Sequence, residues 1–115
     1  MEYFKLLMIL VASHAIGDYA LQSDYIAKEK AKSFYVLFIH VNIWTFIITS
    51  VSYFIGLNIN MVNVLFILWI PHLIMDYLKA RNKKFKELIP NQSIQLFIDQ
   101  SFHYIQLILF LLITF

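Results

Sequence analysis

The stretch Ile94-Gln95-Leu96-Phe97-Ile98-Asp99-Gln100-Ser101-Phe102-His103-Tyr104-Ile105-Gln106 decides how this chain folds. It lies in an apolar run that continues to Phe115. Polar side chains recur through it at helical spacing: Gln92, Gln95, Asp99, His103 and Gln106. Steps of three and four residues place them on one face of a helix. Ionisable groups within a membrane segment cost several kcal/mol unless they pair or bind something. The stripe must therefore look inward or at a partner, and the other helices must answer it.

Three more apolar runs precede this one, so the helices are expected at about 3–22, 33–57, 61–80 and 93–115. Each is long enough to cross a hydrocarbon layer of about 30 Å as a helix. Backbone groups in lipid must be satisfied within the segment, which leaves helices as the spanning form. The expectation is an all-α, polytopic membrane protein: one domain over residues 1–115, built as a four-transmembrane-helix bundle. The 115 residues are 61% hydrophobic, with a mean hydropathy of +0.71. A soluble domain of this size needs more polar surface. Cysteine is absent, which excludes disulfides, a thiolate nucleophile and Cys-based metal sites. No signal peptide is expected, because no small-residue cleavage site follows a basic start.

The connections differ in charge. The first carries Lys28, Lys30 and Lys32, the third carries Lys79, Arg81, Lys83, Lys84 and Lys86, and the second, around residues 56–63, carries none. The positive-inside rule puts the first and third in the cytoplasm and both termini outside. The net charge of +2 reflects these loop lysines, not a nucleic-acid surface.

Every histidine lies inside an apolar run. His14 precedes Asp18 by four residues, His72 precedes Asp76 by four, Asp99 precedes His103 by four, and His40 is the one ionisable side chain inside its run. At a rise of 1.5 Å per residue from the presumed cytoplasmic ends, His14, His40, His72 and Asp99 fall about 12–15 Å in. Asp18 and Asp76 fall about 8–9 Å in and His103 about 18 Å in. Residues distant in sequence thus share one slab. Pro71 precedes His72 and removes a backbone bond. The kink either aims His72 at the centre or bends the helix for packing. His14-Ala15-Ile16-Gly17-Asp18-Tyr19 echoes His72-Leu73-Ile74-Met75-Asp76-Tyr77, which suggests two pseudo-symmetric helix hairpins related by an axis along the membrane normal.

Imidazoles and carboxylates together form a ligand set suited to a divalent transition metal, zinc first, with manganese, iron or nickel also compatible. The candidate metal ligands are His14, Asp18, His40, His72, Asp76, Asp99 and His103. Asp18, Asp76 and Asp99 are also the candidate catalytic bases. Gln22, Lys79 and Gln100 are candidate substrate contacts. A metal so placed would activate water or polarise a phosphoryl oxygen, and the neighbouring cations either set topology alone or hold an anionic headgroup. The reading is a metal-dependent hydrolase acting on a lipid-linked or phosphorylated substrate. The alternatives are an ion, proton or small-solute path, and a structural or regulatory subunit. Haem between facing histidines is disfavoured by the interleaved carboxylates. The chain has no Gly-rich phosphate loop, no Gly-x-Ser-x-Gly elbow and no His-Glu-x-x-His, so nothing favours a serine nucleophile. A path needs polar groups in the outer half, where mainly Ser13, Thr45, Thr49, Ser52 and Gln106 are on offer. A homo-oligomer is compatible with so short a bundle.

His14-x-x-x-Asp18-Tyr19-x-Leu21-Gln22-Ser23-Asp24, His40, His72-x-x-x-Asp76-Tyr77-x-Lys79 and Asp99-Gln100-x-x-His103, in this order, resemble the bacterial and phage membrane family called domain of unknown function 3307. The likeness covers nearly the whole chain. It implies a small multi-pass protein of the bacterial inner membrane. It singles out His14, Asp18, Gln22, His40, His72, Asp76, Lys79, Asp99, Gln100 and His103, and supplies no substrate. The layout is also distantly similar to membrane-bound metal-dependent hydrolases, by analogy alone.

Overall fold

A computed structural model describes residues 2–20, 23–30, 32–81 and 83–115. The described residues are helical, with no strand among them. Helix α1 (Glu2–Ala15) runs directly into a π-helical turn (Ile16–Ala20). Helix α2 (Asp24–Glu29) lies in the first connection, and α3 (Phe34–Phe54) follows. A short α4 (Met61–Asn63) leads through a second π-helical stretch (Val64–Trp69) into α5 (Ile70–Arg81). Helix α6 (Lys83–Leu88) occupies the third connection and α7 (Gln92–Thr114) closes the chain.

Two features depart from the sequence reading. The first and third helices are not regular along their length, because each contains a π-helical segment. The lysine-rich connections also carry short helices of their own. Polar caps set the starts. Ser23 and Ser33 accept from the backbone N–H groups of Ile26 and Val36, and Asn91 accepts from Ser93 and Ile94. Each satisfies a donor that the first helical turn leaves open. Helix α3 ends in a Schellman arrangement, with Leu57 N–H on Ser52 C=O at 3.0 Å and Gly56 N–H on Tyr53 C=O at 3.1 Å. Gly56 sits at φ +88°, a conformation open to glycine at little cost.

Helix α1 packs against α3 and α7, and α5 with the stretch before it packs against the same two helices. The result measures 40 × 25 × 25 Å. At one end Leu6, Leu10, Trp44, Ile48, Val64, Leu68, Leu107, Phe110 and Leu111 form a closed apolar core. At the other lie α2, α6, Lys30 and Lys79. Three helical segments, Phe34–Phe54, Met61–Lys79 and Gln92–Thr114, have the length and mean hydropathy (1.6–1.8) to cross a membrane. Only 28–33% of their apolar windows is buried. Large side chains such as Phe46, Phe54, Phe66, Phe97 and Leu112 point outward at 62–85% exposure. Apolar surface on that scale needs a hydrocarbon solvent or a partner.

Gly17 lies in the first π-helical turn, pressed on α3. A Cβ there would stand 3.0 Å from Trp44 Cδ1 and 3.3 Å from Trp44 Cα. Trp44 is fully buried, so neither the ring nor the backbone has room to yield freely. Gly17→Ala is expected to cost about 1–3 kcal/mol through overpacking. The check is thermal unfolding in detergent, with a shift in tryptophan fluorescence as the sign that the Trp44 ring has moved.

Candidate metal centre

The π-helical turn governs where Asp18 points. In a regular α-helix a residue four positions after His14 would pair with it along one face. Here His14 Nε2 and Asp18 Oδ2 remain 3.9 Å apart. Asp18 Oδ1 instead meets His40 Nε2 of α3 at 3.2 Å and His72 Nε2 of α5 at 3.8 Å. Single π-helical turns commonly re-aim side chains at functional sites.

Asp76, on α5 with His72, completes the group. Its Oδ2 lies 3.0 Å from His40 Nε2 and 3.3 Å from His72 Nε2. The two Nε2 atoms are 3.5 Å apart. Five of the six edges of a four-atom cage therefore measure 3.0–3.8 Å. Donor atoms around a tetrahedral ion with bonds of 2.0–2.2 Å stand about 3.3–3.6 Å from one another. All four residues are buried, at 0–7% exposure. The 3.0 Å approach of His40 to Asp76 is not an aligned hydrogen bond, and Asp76 Oδ2 has no hydrogen-bond partner. The edges bracket that spacing, and the four residues could hold an ion.

Beside it stand Asp99 and His103 of α7, with His103 Nε2 3.0 Å from Asp99 Oδ1 and 3.9 Å from Asp76 Oδ1. Asp18, Asp99 and His103 offer a second set of convergent donor atoms. The other Asp99 oxygen, Oδ2, accepts from Lys79 Nζ and Gln100 Nε2, both at 3.1 Å. Lys30 Nζ lies 3.8 Å from Asp76 Oδ2. The Lys30 and Lys79 side chains are the partly open members, at 18% and 34% exposure, so the cluster reaches its surroundings at the lysine-rich end.

Six of the seven candidate metal ligands fall in these two groups, and His14 stands next to them. Its Nδ1 accepts a hydrogen bond from Trp44 Nε1 at 2.9 Å. An indole nitrogen only donates, so the His14 proton sits on Nε2, where it faces Gln100 Oε1 at 2.9 Å. His14 thereby positions Gln100, which in turn holds Asp99. Lys79 and Gln100 both engage Asp99, while Gln22 lies outside the described residues.

Trp44 and Gln106 were not among the candidate site residues. Trp44 stacks on His72 with ring centroids 4.1 Å apart and divides the polar cluster from the apolar core. It follows His40 by four residues on the buried face of α3, a spacing that was legible. Gln106 belongs to the α7 stripe. Pro71, which follows the stretch where Ile70 N–H reaches back to Leu65 C=O, has no N–H to give to the turn before it. Gln106 Nε2 answers instead, donating to Ile67 C=O at 2.7 Å and Leu68 C=O at 2.6 Å. Its Oε1 is left to face His103 Nδ1 at 3.2 Å. The backbone defect at Pro71 is thus linked through one amide to the ring of His103.

No curated protein and no solved structure matches the chain. A family model, described as protein of unknown function (DUF3307), matches residues 6–115. The match spans the helices that supply every member of the cluster, and the chain belongs to that family.

Proposed function

We propose that this chain is a four-span inner-membrane protein, with both termini outside, that binds a divalent transition metal among His40, His72, Asp76 and Asp18. The fourth span would be Glu2–Ala20, α1 with its π-helical turn, about 28 Å long at 1.5 Å per residue. The observation that carries the metal reading is the cage of buried nitrogen and oxygen atoms with edges of 3.0–3.8 Å. Two neutral imidazoles and two carboxylates balance a divalent charge, as a low-dielectric site requires. The near-tetrahedral spacing favours zinc.

The reaction we infer is hydrolysis of a lipid-linked or phosphorylated substrate from the cytoplasmic side. A divalent ion bound in this cluster with a position open would supply Lewis acidity, to activate water or polarise a phosphoryl oxygen. Lys79 and Lys30 stand at the open end with charge to attract an anionic group. The apolar core behind Trp44 makes the cluster a dead end, which suits a reaction more than passage. One observation favours a path for ions or protons. The Thr45 and Thr49 hydroxyls, one turn apart on α3, are buried without hydrogen-bond partners.

The test is elemental analysis of untagged, detergent-purified protein. The expected result is at least one metal ion per chain in the wild type and loss of the cage ion in His40→Ala. Chelation is expected to lower the unfolding temperature, since an ion held at 100 times its dissociation constant contributes about 2.7 kcal/mol. A wild type without metal after loading and washing would sink the reading and turn attention to flux in liposomes. Metal-loaded protein that leaves phospholipids and isoprenoid phosphates intact would leave a metal site without this chemistry.

A further inference from the structure

The cage and the pair on α7 are not equivalent. Four protein ligands close a tetrahedral ion, as in structural sites, whereas reactive sites keep three and leave a position open. The α7 pair has the second pattern. Asp99 and His103 are 2% and 0% exposed. Asp99 Oδ1 and His103 Nε2 are both buried without a hydrogen-bond partner, although they lie only 3.0 Å apart. Neither side chain is loose, because each is held through its other polar atom. Lys79 and Gln100 grip Asp99 Oδ2, and Gln106 faces His103 Nδ1. With its amide N–H groups spent on Ile67 and Leu68, Gln106 presents an acceptor. The His103 proton is therefore drawn to Nδ1, and the lone pair falls on Nε2, toward Asp99.

We propose that Asp99 Oδ1 and His103 Nε2 hold a second divalent ion together with Asp18, whose carboxylate is shared with the first. This rests on the metal reading of the cage and goes beyond it, making the centre dinuclear. Donor atoms of Asp18, Asp99 and His103 lie within 4.8 Å of one another, and Asp18 belongs to both groups. Asp76 also faces both sides, with Oδ2 toward His40 and His72 and Oδ1 toward His103. Paired ions about 3.5–4 Å apart clamp the attacking and departing oxygens of a displacement. The second ion, with three protein ligands, would have room for an anionic substrate oxygen, which would offset the positive charge that three carboxylates leave on two divalent ions. Lys79, on Asp99 and partly open, marks the side from which a phosphate or ester oxygen would arrive.

The experiment is metal counting with electron paramagnetic resonance on the intact wild-type chain loaded with manganese. The expected result is two ions per chain with an exchange-coupled signal, because a shared carboxylate links them. Asp99→Asn and His103→Leu are each expected to hold one ion and to give an uncoupled signal. One ion per chain in saturated wild type, or two without coupling, overturns the shared centre while the cage reading stands. No ion in the wild type overturns both. The wild-type count decides even where a variant fails to fold.

Discussion

Exchange of Asp76 for alanine is expected to empty the centre of metal. Asp76 is the most connected group in it, facing His40 and His72 at 3.0 and 3.3 Å, His103 at 3.9 Å and Lys30 at 3.8 Å. Its removal leaves a divalent ion with one carboxylate of the cage and a net positive charge in a medium that does not solvate it. Loss of a group that merely orients a ligand costs about 10–100-fold in affinity, and loss of a direct ligand should exceed that. Competition against a chromophoric chelator, in detergent, reads the effect. Affinity within tenfold of the wild type would remove Asp76 from the coordination shell. Asp76→Asn keeps the volume and one oxygen, and is expected to fall between the two.

Trp44→Ala is expected to produce the largest loss of stability of any single change, about 3 kcal/mol. The figure sits at the low end of the range for Trp→Ala, because lipid is as apolar as the core and the loss is chiefly packing. Trp44 is fully buried, stacked on His72 and so close to Gly17 that a Cβ there would stand 3.0 Å from its ring. Its removal opens a cavity between the apolar core and the polar cluster, and frees the His72 ring on that side. Trp44→Phe restores most of the volume but removes the donor to His14 Nδ1. A buried acceptor left unanswered costs about 1–3 kcal/mol. The ordering wild type, then Phe, then Ala in thermal or detergent unfolding is the check. Equal stability of Trp44→Ala and wild type would show that the ring fills no structural role.

Much of this is legible in the sequence. Apolar runs and lysine clusters marked helices and connections, because hydrocarbon length and loop charge follow from composition. The convergence of His40, His72, Asp76, Asp99 and His103 followed from counting rise per residue, since depth in a straight helix is arithmetic. The arithmetic fails where hydrogen-bond register changes. Nothing in Ile16-Gly17-Asp18 announces a π-helical turn, so the pairing of Asp18 with His40 instead of His14 was invisible. Trp44 does not stand out among tryptophans and tyrosines scattered along the runs. Its role depends on a single N–H aimed at one nitrogen. Gln106 was seen as part of the α7 stripe, but its link to the Ile67 carbonyl needed the neighbouring helix in place. The short helices α2 and α6 sit in polar, lysine-rich connections where hydrophobic periodicity carries little signal.

The donor atoms come from every long segment: Asp18 from the turn after α1, His40 from α3, His72 and Asp76 from α5, and Asp99 and His103 from α7. This has a consequence for how the protein is made. The ribosome delivers these segments in order, and α7 is the last of them to be made. Until then a nascent chain carries Asp18, His40, His72 and Asp76 without the stripe that packs beside them. An ion captured by the complete cluster would act as a rivet joining the earlier-made and later-made of these segments. A cell starved of that ion would hold a looser protein with buried carboxylates and imidazoles uncompensated, a natural target for membrane proteases. Abundance of the protein would then follow the metal supply without any regulator of its gene.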